Sequence, residues 1–67
     1  MSRMVKVRVL PEGKILDVEA ERIEDIFRKL GYSREAYVAL VNGRPVLESQ
    51  KIGENDEVVL VRVLSGG

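Results

Sequence analysis

Apolar residues follow three rhythms along the chain. From Met4 to Leu10 they alternate, with Val5, Val7 and Val9 on one side and Lys6 and Arg8 on the other, which predicts a strand buried on one face. Pro11-Glu12-Gly13 interrupts it as a turn, since proline sets φ and glycine permits a positive one. Lys14 to Val18 reads as the returning strand of a hairpin, with Ile15 and Leu16 leaving its inward parity open. From about Glu21 the period lengthens: Ile23, Ile26, Phe27 and Leu30 fall at i, i+3, i+4 and i+7, the stripe of a helix with one buried side. Glu21, Glu24 and Asp25 near its start and Arg28 and Lys29 near its end suit the helix dipole, and Gly31 supplies a stop. Glu24 and Arg28 are spaced to pair. No Ser or Thr stands ready as an N-cap, which leaves the start loosely defined.

Beyond a loop from Tyr32 to Glu35, where Ser33 is placed to cap a short turn, the third rhythm is continuous. Tyr37 to Val41 is an unbroken apolar run. Asn42-Gly43 is the strongest hairpin signal in the chain, and Pro45 marks the following strand, Arg44 to Leu47, as an edge. Ile52 to Asp56 is a turn region, and Glu57 to Leu64 is the last strand. The order is ββαβββ. One helix and four or five short strands close a core only as a sheet with the helix across one face. A right-handed crossover then sets the last strand parallel to the first, in the middle of a mixed sheet. The expectation is an α+β fold of β-grasp type over residues 1–64, with 65–67 a flexible tail. Within the last strand Val58 and Leu60 share one side while Val59, Val61 and Val63 share the other. A helix can cover only one of these rows, so the second is expected to dock a partner. Complete burial of a central strand is the simpler alternative.

Composition narrows the function. A chain of 67 residues is one domain that buries only roughly 60% of its unfolded surface. It has no Cys and no His, which removes disulfides, thiolate and imidazole metal sites and the usual nucleophiles and general base. No bound cofactor or metal is expected. Basic and acidic residues balance at 11 each, so no net field draws the chain to nucleic acid or an anionic membrane. Without a signal-like or membrane-length apolar segment it reads as cytoplasmic. Lys6, Lys14, Lys29 and Lys51 are read as solvated charge, and the acidic residues near the helix start as dipole matching rather than a cation site. Tyr32 and Tyr37 are too few to make a stacking platform for nucleic acid.

The chemistry worth naming is in the ending Ser65-Gly66-Gly67. Two glycines make a thread thin enough for a channel closed to side chains. Such a thread would deliver the Gly67 carboxylate to a partner's active site. There a carboxylate oxygen can attack the α-phosphate of ATP to form an acyl adenylate, which sulfur or an amine then opens.

The order ββαβββ, the segment Val38-Ala39-Leu40-Val41-Asn42-Gly43-Arg44-Pro45-Val46, the turn Ile52 to Val58 and the ending Leu64-Ser65-Gly66-Gly67 together resemble the ubiquitin-like sulfur carriers of the ThiS and MoaD family. Within that group the chain most resembles the small archaeal modifier proteins. The resemblance implies a non-catalytic co-substrate. An E1-like enzyme, consuming ATP, would adenylate Gly67. A sulfur donor protein would then convert it to a thiocarboxylate, or a target lysine would take it as an isopeptide. Sulfur would pass to tRNA thiolation, molybdopterin or the thiazole of thiamin. Gly66 and Gly67 carry over as the reacting end. Val59, Val61, Val63 and Arg62 are the docking set, Arg62 through directed contacts with acidic groups; ordinary surface pairing stays open for Arg62 and Arg44. The family often has Gly-Asp before the last strand where this chain has Asn55-Asp56, and asparagine's tolerance of positive φ is expected to spare that turn. A β-grasp interaction module with no acyl chemistry is the alternative.

Overall fold

The computed structural model describes residues 3–63. Strand β1 (Arg3–Leu10) and strand β2 (Lys14–Ala20) form the expected hairpin, closed by the Gly13 amide donating to the Val9 carbonyl at 2.7 Å, with Gly13 at φ +79°. Helix α1 (Ile23–Leu30) follows, then β3 (Tyr37–Val41), the two-residue edge strand β4 (Arg44–Pro45) and β5 (Val58–Arg62). The five strands lie in the order β2-β1-β5-β3-β4. β5 is parallel to β1 and antiparallel to β3, as a crossover through the helix requires. The architecture is the α+β β-grasp arrangement.

The core is the space between sheet and helix. Val5, Val7 and Val9 from β1, Val58 and Leu60 from β5, and Ile26 from α1 are fully excluded from water, with Val18, Ala20, Ile23, Phe27, Ala39, Val41 and Ile52 packed around them. Every described buried residue is apolar, so no desolvated polar group weakens this small core. β2 runs on to Ala20, and its parity resolves with Val18 and Ala20 inward and Leu16 packed against the core, while Ile15 is left exposed.

The helix starts at Ile23 rather than near Glu21. Arg22 is extended (φ −132°, ψ 165°), bridged to Lys51, while the Glu21 carbonyl accepts from the Ile52 amide. In place of a Ser or Thr cap, Asp25 reaches back, its Oδ2 accepting from the amides of Arg22 at 3.0 Å and Glu21 at 3.1 Å. Two further first-turn amides are taken by the chain after β4: Ile23 donates to the Gln50 carbonyl and Glu24 to that of Glu48. Arg28 pairs with Asp25 instead of Glu24. At the other end Gly31 (φ 72°) caps the helix, its amide donating to Phe27.

Two loops join at Asn42 and Asp56. Asn42 and Gly43 both have positive φ (53° and 83°), the requirement of the tightest hairpin turn. Asn42 Nδ2 donates to Asp56 Oδ1 and Asn42 Oδ1 accepts from the Glu57 amide, each at 3.0 Å. Asp56 Oδ2 accepts from the Gly53 amide at 2.8 Å. Asn55 does not use its tolerance of positive φ: among the described non-glycine residues only Asn42 lies in that region. The turn before β5 is held by the Asp56 carboxylate, so a glycine-like conformation at 55 is not required.

Candidate functional site

The two rows of β5 separate as alternation demands. Val58 and Leu60 face the helix with no exposure, while Val59 and Val61 on the opposite face are half-buried. Val63 lies just past β5, yet its amide donates to the Ala36 carbonyl at 2.8 Å, continuing the ladder with β3. It is 39% exposed. The last strand is thus shorter than expected, with Leu64 outside the described residues. Gly66, Gly67 and the expected 65–67 tail are also outside them.

Register adds residues that a linear reading could not join. Val59 lies opposite Arg8 of β1 and Leu40 of β3; Val61 lies opposite Leu10 and Val38; Leu40 lies opposite Pro45 of β4. Partners across a ladder share a face. Leu10, Val38, Leu40, Val59, Val61 and Val63 therefore form one apolar patch on the side of the sheet away from α1. The out-pointing Val38 and Leu40 could have been found from the alternation within Tyr37–Val41; Leu10 needed the register of β1 against β5. Beyond Leu10 the same face of β1 and β2 turns mixed, with Lys6 opposite Asp17 and Arg8 opposite the exposed Ile15.

Arg62 is not part of this patch. It lies opposite Tyr37 on the row of Val58 and Leu60, exposed at the end of the strand. Tyr37 stacks there on Tyr32, ring centres 4.6 Å apart. On the same side an open groove of about 460 Å³ runs between α1 and the residues after β4, past Phe27, Ala39, Val46 and the exposed Leu47, with Arg34 and Glu48 paired across it.

Among the described residues two carboxylates have displaced ionisation, and both are structural. The amides of Arg22 and Glu21, with Arg28 beside them, hold Asp25 below the ordinary aspartate range. The Gly53 amide and then the Asn42 side chain do the same for Asp56. Each shift reflects hydrogen bonds to the charged form. Neither group lies in the apolar patch. No described helix is long and apolar enough to cross a membrane.

What the described geometry offers is a surface: an apolar patch along a central strand, continued by Val63, that precedes residues 64–67 in the chain. The family model for small archaeal modifier protein 2 matches residues 3–64.

Proposed function

The chain belongs to the small archaeal modifier protein 2 family, a ubiquitin-like family, and on that premise we propose that it is an acyl carrier activated at Gly67 by an E1-like enzyme. In this reading the partner docks on the patch of Val59, Val61 and Val63, and β5 aims the tail into the partner's active site. Arg62 would meet the partner from the other side of the same strand.

A Gly67 carboxylate oxygen attacks the α-phosphate of ATP and pyrophosphate leaves. The acyl adenylate then has two fates. A donor persulfide attacks the carbonyl and expels AMP, and a thiol cleaves the resulting sulfur–sulfur bond to leave the thiocarboxylate, which supplies sulfur to an acceptor such as a tRNA uridine. Alternatively a lysine Nζ attacks, AMP leaves and an isopeptide forms. Both fates need the Gly67 carboxyl free. Gly66 lets the thread pass where a side chain would block it.

The observation that carries the reading is the apolar outward row of β5, placed immediately before the glycines. A sheet covered on one face by a helix needs only one apolar row per strand, and a contiguous apolar patch left on the uncovered face is read as an interaction site. The test is intact-mass spectrometry after incubation with ATP, an E1-like enzyme from the same source and a sulfur donor. A mass gain equal to sulfur replacing oxygen, localised to Gly67, supports the carrier reading. No adduct, with the enzyme active on another substrate, leaves a plain β-grasp interaction module.

A further inference from the structure

Asn42-Gly43 is the one motif whose chemistry the acyl-carrier reading does not use. An asparagine followed by glycine is the pair most open to intramolecular attack, because the glycine nitrogen has no neighbouring Cβ to hinder it. Both residues are exposed, and a Cβ built on Gly43 would meet nothing within 4 Å. Water and a moving side chain can therefore reach this turn. Against that exposure stands the side chain's own engagement. Its nitrogen donates to Asp56 Oδ1, its oxygen accepts from the Glu57 amide, and its backbone amide donates to the Glu57 carbonyl at 2.8 Å. The amide carbon is directed toward the turn that leads into β5.

We propose that Asn42 is a deamidation site that the fold holds closed through the Asp56 and Glu57 contacts, so that its modification records each release of the β3–β4 hairpin from the start of β5. The reaction needs only water. The Gly43 backbone nitrogen bonds to Asn42 Cγ, and Nδ2 leaves as ammonia, taking up the Gly43 amide proton. Water then opens the cyclic imide at either carbonyl, giving aspartate or isoaspartate. Aspartate replaces the donor to Asp56 with a second negative charge. Isoaspartate routes the backbone through the former side chain, lengthening a two-residue turn and disturbing the pairing of Val41 with Arg44. Either product makes the release permanent, since the original latch cannot re-form.

The experiment uses the full chain near neutral pH. Deamidation is followed by the mass gain of the peptide containing Asn42-Gly43, and opening by exchange of the Glu57 amide hydrogen, across urea concentrations below global unfolding. The proposal expects the two rates to rise together, with deamidation at least about tenfold faster in fully unfolded protein than in the native state. In native buffer Asp56→Ala should deamidate faster than wild type while its Val7 amide, in the core, stays protected from exchange. Equal rates in folded and unfolded protein, or deamidation that stays flat while Glu57 exchange accelerates, overturns the proposal. The wild-type series decides the matter even where Asp56→Ala fails to fold.

Discussion

β1 and β5 lie side by side, parallel and in register, and send equivalent rows to the helix: Val5, Val7 and Val9 from one, Val58 and Leu60 from the other. Their outward rows differ. On the outward row β1 sets Lys6 and Arg8 between Met4 and Leu10, with Arg8 opposite Val59 and Leu10 opposite Val61, whereas β5 presents valines alone. Folding explains the inward rows, and the two charges in the outward row of β1 are what a half-covered sheet needs. The outward valines of β5 are apolar surface that the helix does not cover. In the proposed function that surface is where the partner docks.

If the two rows of β5 do different work, separate substitutions should divide stability from recognition. The largest effect belongs to the inward row. Leu60→Ala empties part of a fully buried site and should cost about 2–4 kcal/mol of stability, read from urea denaturation, a large share of what so small a domain holds. Where the variant stays folded, its KM for activation should be unchanged. Val61→Asp, in the outward row, should leave stability within about 1 kcal/mol of wild type while raising the KM for activation at least about tenfold, equivalent to about 1.4 kcal/mol.

Asp25, in the first turn of α1, offers a control outside both rows. Asp25→Ala removes the group that satisfies two amides at the helix start and should cost about 1 kcal/mol, with no change in KM. Its pH signature has a definite sign. Asp25 and Asp56 have folded pKa values below the ordinary aspartate value, so their contribution is fully present above that ordinary value and is lost as pH falls through the lowered one. Acid titration of urea stability should show a smaller loss in Asp25→Ala than in wild type. The smallest effect is expected from Arg8→Val, which extends the valine row onto β1. Stability should move by no more than about 0.5 kcal/mol, whereas sedimentation at high concentration should show new self-association, since the apolar patch then runs on to the exposed Ile15 of β2.

Much of this fold was legible because one residue type per position carried it. Alternation at Val5, Val7 and Val9, the stripe of Ile23, Ile26 and Phe27, and Asn42-Gly43 each specify local geometry without help from elsewhere. The start of α1 was not legible, because its amides are satisfied by Asp25 from within the helix and by the carbonyls of Glu48 and Gln50, which come from a distant loop. The apolar row Val59, Val61 and Val63 could be read by parity, but its extension to Leu10, Val38 and Leu40 depends on strand register. In sequence Arg62 groups with the valines for the directed contacts its guanidinium can make with acidic groups, whereas alternation sets it on the other face.

The central claim is that the outward row of β5 recognises the activating enzyme while Gly67 supplies the chemistry. The most direct measurement is ATP–pyrophosphate exchange by the E1-like enzyme, comparing wild type, Val61→Asp and Gly67→Ala, with KM and kcat resolved separately. The account expects Val61→Asp to raise KM with kcat retained, and Gly67→Ala to lose kcat while still competing with wild type for binding. A Val61→Asp protein with wild-type KM would contradict it.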